Sequence, residues 1–115
     1  MGIRSTVVLG MEEEDYQVLG NKIEEISDEH LKKLVKELLC CDCDLNVVEE
    51  AKYRIVKWSA IKWCPSAYKD IRWLMDNLPS NHIFVKRNAE YYIKEDTDKL
   101  LMRKLGAICM EKLDN

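Results

Sequence analysis

The segment from Lys52 to Trp73 interleaves basic and aromatic residues. It contains six Lys or Arg residues against one acid, Asp70, and five of the nine aromatic residues of the protein. Nucleobases stack on aromatic faces and phosphates bind Lys and Arg, so this pattern is typical of a site for a nucleotide or single-stranded nucleic acid. The candidate ligand-binding residues are Arg54, Lys57, Trp58, Lys62, Trp63, Arg72 and Trp73.

The same residues also have a structural interpretation, because large aromatic side chains are usually buried and charges are usually solvated. Trp73 differs from the other tryptophans. On a helix that starts near Pro65, Trp73 points away from the apolar stripe, towards polar neighbours. A tryptophan there indicates a binding patch, a subunit interface or cover by another part of the chain. The predicted stripe consists of Tyr68, Ile71, Leu74, Met75 and Leu78.

Other residue types that carry chemistry are poorly arranged. Cys40, Cys41 and Cys43 are crowded, but no second Cys/His pair follows at a spacing that suits zinc. His30 and His82 stand alone, and the four glycines form no phosphate-binding loop. We assign no catalytic residue, metal ligand or cofactor, and we lean towards a protein that is not an enzyme. An enzyme acting on nucleotides stays open if a histidine lies beside carboxylates in a cleft.

The net charge of −3 conceals an uneven distribution. Residues 1–50 carry five Lys/Arg and thirteen Asp/Glu, a balance of −8, whereas residues 51–115 carry thirteen and eight, a balance of +5. The second half could attract an anion, and the first half could attract a basic partner. The same split could also drive head-to-tail association.

Periodicity places the elements of the first half. Alternating apolar residues predict a strand over 3–11, and the acidic run 12–15 suits the start of a helix. Ser27-Asp28 can cap a second helical stretch, which leaves one bent helix or two joined helices. Residues 40–46 are predicted to be a polar loop, and Val47-Val48 either starts a strand or leads into a turn.

The second half shows a similar mixture. Strands are predicted over 53–58, 83–87 and 91–94, with a turn at 88–90. A helix is predicted from Pro65 to the stop at Pro79. Thr97 or Asp98 could cap a short helix that ends at Gly106, and residues 107–113 could form a last strand.

This order of elements predicts an α+β fold. We expect a mainly antiparallel sheet of about four or five strands, with two or three helices on one face, in one domain over residues 1–115. No apolar run reaches the roughly 20 residues of a membrane helix, so we expect no membrane association. The odd number of cysteines indicates free thiols, which suits the cytoplasm.

Short blocks of the chain resemble a group of small phage and prophage proteins that open Met-Gly-aromatic-Arg-Ser and later carry a Lys-Trp pair. The blocks are Met1–Val7, Val56–Trp63, Ile83–Arg87 and Glu95–Asp98. The resemblance implies a phage or mobile-element origin and a small intracellular effector, such as a counter-defence or host-takeover protein. It assigns no residue a role.

Two binding functions follow. The first is a phage-type effector in the cytoplasm of a bacterial host that sequesters a small anionic nucleotide. We expect a homo-oligomer in that case, because a small chain builds deeper pockets between subunits. The alternative is an inhibitor that binds a host or defence protein through its acidic first half. We do not expect duplex nucleic acid as a ligand.

Overall fold

The chain forms five strands and four helices in a computed structural model that describes residues 4–40, 42–48, 50–87, 91–96 and 99–114. The strands are β1 (Arg4–Glu12), β2 (Asp42–Val48), β3 (Ala51–Lys62), β4 (His82–Arg87) and β5 (Tyr91–Asp96). The helices are α1 (Glu13–Glu24), α2 (Glu29–Leu38), α3 (Lys69–Asp76) and α4 (Lys99–Asp114).

The strands form one sheet in the order β2-β3-β1-β4-β5, and all four neighbouring pairs are antiparallel. The N-terminal strand is therefore central, and β2 and β5 are the edges. The α+β class and the mainly antiparallel sheet are confirmed.

Helices cover both faces of the sheet. Leu19 of α1 and Leu74 of α3 join the core on the face that presents Leu9 of β1, and α2 packs against α1 and α3. These helices share one face, as predicted. The fourth helix, α4, covers the opposite face, where Leu105 and Cys109 pack against a second cluster of buried strand residues. The sequence did not predict this second helical layer.

Local sequence patterns correctly predicted the starts of α1 and α2. The acidic run precedes and opens α1, where carboxylates favour the positive end of the helix dipole. Asp28 caps α2, since its side chain accepts hydrogen bonds from the backbone N–H groups of His30 (3.0 Å) and Leu31 (3.2 Å). The predicted helical stretch is thus two helices, α1 and α2.

Several predicted elements were wrong. Residues 42–46 belong to β2 and not to a loop, and α4 continues through Gly106 where a helix end and a last strand were predicted. Residues 65–67 form a turn, so α3 begins only at Lys69, and Tyr68 is exposed before the helix. The predicted turn at 88–90 and the predicted caps Thr97 and Asp98 lie outside the described residues.

Candidate functional site

Two of the three tryptophans belong to the core. Trp58 is 6% exposed and Trp63 is 8% exposed. Their ring centroids lie 5.1 Å apart, and Trp63 also contacts Phe84 at 5.5 Å between ring centroids. The indole nitrogen of Trp58 donates a hydrogen bond to the Leu38 carbonyl oxygen at 2.6 Å, near the end of α2. Neither ring can stack on a base without opening the core, so their burial argues against the predicted role of Trp58 and Trp63 in binding a ligand.

A β-bulge brings the two indoles together. The register pairs Ser5 with Ile61 but Val7 with Trp58, so β3 contains one extra residue at this point. Ala60 takes a φ of 55° there, in the left-handed region, and its carbonyl accepts a hydrogen bond from Arg4 Nη1 at 2.9 Å. Without this residue, positions 58 and 63 would face opposite sides of the sheet.

The predicted cations do not converge on one site. Lys57 faces α4 and donates to the Lys112 carbonyl oxygen at 2.8 Å, where a cation stabilises the end of a helix. Arg72 donates to carbonyl oxygens in the turn before α3, at 3.3 and 3.4 Å. Lys62 is half-buried at the end of β3, opposite Arg4 in the register. These side chains serve different parts of the fold.

Trp73 is covered from within the chain. The residue is half-buried, and it packs against the core cluster that contains Trp58 and Trp63. Its helix, α3, also contacts α2. Of the three interpretations that the sequence allowed, the structure therefore favours cover by another part of the same chain.

Arg54 joins α1 to the sheet. Its guanidinium makes a bidentate ion pair with Glu13, with Nε and Nη2 at 2.8 and 2.7 Å from the two carboxylate oxygens. The Arg54 Cζ atom lies 5.1 Å from the centroid of the Tyr16 ring. Cys43 of β2 donates to the Tyr16 hydroxyl oxygen at 3.6 Å. Arg54 therefore has a structural partner within the chain, which argues against its predicted role in binding a ligand.

The ion pair shifts both ionisation equilibria. The hydrogen bond from Arg54 is the main cause that lowers the pKa of Glu13, and Gln17 contributes a second hydrogen bond. The same bond raises the pKa of Arg54. Both groups therefore stay charged over the physiological range of pH.

Glu13→Gln should lower the free energy of unfolding near neutral pH by roughly 1–3 kcal/mol, because it removes a charge-assisted bidentate bond. The native pKa of Glu13 is lowered, so the stabilisation is present above the pKa of the unfolded state. It is lost as the pH falls through the lower native pKa. Urea titrations at several pH values should therefore show the difference between wild type and variant shrinking below about pH 4.

The matched control is Glu14→Gln, since that neighbouring side chain is exposed. It should leave stability nearly unchanged. A Glu13→Gln effect of equal size in acid and at neutral pH would show that the ion pair is not its cause.

An acidic groove lies where the first turn of α1 meets the β2–β3 hairpin. Its volume is about 500 Å³, and four of its lining residues are glutamates. Glu14 and Glu50 are exposed, whereas Glu13 is engaged by Arg54. The acidic groove is lined by Glu12, Glu13, Glu14, Glu50, Ala51 and Lys52.

The acidic groove is assembled by register. Glu12 lies opposite Tyr53 in the β1–β3 pair, and this brings residues 12–14 beside the hairpin residues 50–52. The charge imbalance of the first half could have indicated an acidic surface. The contact between segments almost forty residues apart had no local signal.

The β2 edge of the sheet, residues 42–48, exposes apolar side chains. Leu45 is 47% exposed and Val47 is 59% exposed, and they lie on the same side of the strand. Val48 pairs with Ala51 across the hairpin, so this end of β2 adjoins the acidic groove. The alternation of Cys43, Leu45 and Val47 with polar residues was a strand signal that the Asp and Asn residues obscured.

A second groove, of about 450 Å³, follows the outer face of α2. Its charges are mixed, because Lys32, Lys33 and Lys36 lie with Glu29 and Glu37. Lys36 and Lys32 also reach Glu24, at 2.8 and 3.9 Å. This surface therefore shows no strong preference for an anion or a cation.

The histidines are not brought into either groove. His30 is exposed on α2, and His82 is buried at the start of β4 with its Nδ1 atom 2.7 Å from the Pro79 carbonyl oxygen. In the described part of the chain, no group of three or more His, Cys, Asp or Glu side chains could hold a metal ion. No described helix is both long and apolar enough to cross a membrane.

Comparisons with protein-family models, with curated proteins and with solved structures gave no match to this chain. The class of the protein is therefore defined by its fold and its surface alone. It is an α+β protein with a central N-terminal strand, helices on both faces of its sheet, and an acidic groove beside an apolar sheet edge.

Proposed function

We propose that this protein is a non-enzymatic binding protein that takes a basic segment of a partner protein into the acidic groove and so inhibits that partner. The observation that carries the proposal is the groove itself. Four glutamates line about 500 Å³ of space. Arg54 neutralises Glu13 and Lys52 adds one positive charge, so the lining keeps a net negative charge. A Lys or Arg side chain entering the groove would meet a favourable potential, which steers association and selects partners.

The nucleotide alternative has less support. A nucleotide would be repelled by the acidic groove. The cations and indoles predicted to hold one lie apart, and Trp58 and Trp63 are buried. A nucleotide site would have to be completed by a second subunit, as the expected homo-oligomer allows. The resemblance to phage proteins supports a host or defence protein as the basic partner.

The test is binding of a fluorescently labelled lysine-rich peptide, followed by anisotropy at low and at physiological salt. Glu14→Lys combined with Glu50→Lys should weaken binding on the order of tenfold, since two attractive contacts become repulsive. Added salt should weaken wild-type binding, because exposed charges are screened.

The control is Glu25→Lys combined with Glu37→Lys, which changes the net charge equally. Both residues are exposed, and Glu25 directly follows α1, about 16 Å from Glu14 at 1.5 Å per residue. Equal losses in the two double variants would show that only net charge matters and would contradict the proposal. Stabilisation by cyclic or linear nucleotides in a thermal-shift screen would instead favour an effector that sequesters a small anionic nucleotide.

A further inference from the structure

The β2 edge is an open strand. It pairs with β3 along its whole length, from Asp42–Lys57 to Val48–Ala51, and no described strand pairs with its other side. Seven residues at about 3.3 Å each present roughly 23 Å of backbone N–H and C=O groups to a partner. Such an edge is a template for the addition of another strand.

This edge lacks three common protections against strand addition. Natural edge strands often carry lysine or proline, or a bulge that turns the edge away. β2 contains neither residue type, its pairing with β3 is regular, and Leu45 and Val47 are about half exposed. The apolar side chains and the open backbone therefore lie on one strand.

Charge selects the occupant of the edge. Residues 42–50 contain four carboxylates and no Lys, Arg or His, and one of the four, Asp44, is ion-paired with Lys112 of α4 at 2.7 Å. Pairing between two copies of β2 would bring two negatively charged segments close together, and their mutual repulsion disfavours it. A basic extended segment would instead complement both β2 and the acidic groove at its end.

We propose that the β2 edge receives an extended, basic segment of a partner protein as a sixth strand of the sheet. Alternate apolar side chains of the segment cover Leu45 and Val47, and its basic end continues past Val48 into the acidic groove. Backbone hydrogen bonds provide the general attachment, and the alternation and charge provide specificity. This inference rests on the proposed function, because it assigns a binding mode to the same basic partner.

The experiment uses the full chain and two synthetic peptides. One peptide has seven alternating valine and threonine residues with lysines at one end. The second has the same sequence, with N-methyl groups on alternate backbone amides, so that it keeps its charge but cannot complete a ladder. We expect the first peptide to slow amide hydrogen exchange in residues 42–48 at least tenfold, and the second to bind at least tenfold more weakly.

A pair of variants tests the apolar contact without a change of charge. Val47→Thr should weaken binding of the unmethylated peptide about fivefold, which is the order expected for part of a buried valine. Val18→Thr is the matched control, because Val18 is 51% exposed but lies on α1. It should change affinity less than about twofold.

The outcomes separate this inference from the proposed function. If both peptides bind equally and only Glu14→Lys with Glu50→Lys weakens them, strand addition is overturned and the acidic groove stands. If β2 is protected but charge reversal has no effect, the proposed function fails and strand addition stands. If neither peptide binds, both strand addition and the proposed function are overturned. Concentration-dependent protection of β2 in the protein alone, with a doubled mass, shows a second copy at the edge and overturns the basic partner.

Discussion

Gly10→Ala is expected to lower the free energy of unfolding by about 2–3 kcal/mol, or to prevent folding, because β1 and α4 touch at this residue. A Cβ atom at Gly10 would lie 2.6 Å from the Cys109 sulphur and 3.0 Å from Leu105 Cδ1. Both neighbours are fully buried. The absent side chain therefore lets α4 approach the centre of the sheet.

A double-mutant cycle measured by urea denaturation tests this contact. Cys109→Ala removes the sulphur and should cost about 1 kcal/mol alone, through a small cavity. Combined with Gly10→Ala, it should recover at least 1 kcal/mol relative to the sum of the two single effects. Strict additivity would show that the 2.6 Å approach is not the source of the loss.

Gly20→Ala is the matched control for the glycine substitution. Gly20 lies in α1 and is exposed, and apart from its chain neighbours and the backbone of its own helix, no described atom lies within 4 Å of the position of an added Cβ. Alanine should therefore stabilise the helix by about 0.5–1 kcal/mol. The same chemical change is thus expected to have opposite signs at the two positions.

Trp58→Ala is expected to cost about 3–5 kcal/mol, because it empties a large volume at the centre of one core. The more informative pair is Trp58→Phe and Trp63→Phe. The first leaves the Leu38 carbonyl oxygen without its indole donor. The second removes an indole N–H that is buried without a hydrogen-bond partner among the described residues. Trp58→Phe should therefore cost about 1–2 kcal/mol more than Trp63→Phe.

The measurement is again urea denaturation, with ligand binding as an independent readout. If both phenylalanine variants lose the same free energy of unfolding, the hydrogen bond from Trp58 to the Leu38 carbonyl oxygen does not cause the expected difference. A Trp58→Phe protein that keeps its stability but loses binding to a nucleotide would restore the stacking role predicted from the sequence.

The burial of Cys109 also makes its thiol less reactive than that of Cys64. Desolvation raises the pKa of this thiol to about 12, so it is protonated and unreactive near neutral pH. Cys64 is different: a hydrogen bond with Ser66 at 3.3 Å is the main cause that lowers its pKa, and the side chain is partly accessible. Alkylation under native conditions should therefore modify Cys64 before Cys109.

Local patterns predicted much of the first half of the fold. The alternation in β1 and the cap at Asp28 depend on neighbouring residues, so both could be read from the sequence. The α4 prediction was wrong because Gly106 resembled a helix end. The spacing of Leu105, Cys109 and Leu113, each four residues apart and all buried, was the helical signal in that segment.

Of the acidic groove, the sequence predicted only the negative charge and not the position. The excess of acids in the first half pointed to a surface that attracts a basic partner, but the acidic groove needs Glu14 and Glu50 to meet across the hairpin. Lys57 illustrates the opposite case. Its carbonyl partner at Lys112 exists only because α4 ends over β3, so no local pattern could separate it from a ligand-binding lysine.

The sequence by itself determined the class of the protein, because strand and helix periodicities and turn residues act over a few positions. It also determined that acidic and basic residues are unevenly divided. The tertiary structure decided which side chains are available. One extra residue near Ala60 places Trp58 and Trp63 on the same face of the sheet, where both join one core. The strand order leaves β2 at an edge of the sheet. Both outcomes depend on pairing between distant segments, since the register of a sheet decides which face a side chain occupies.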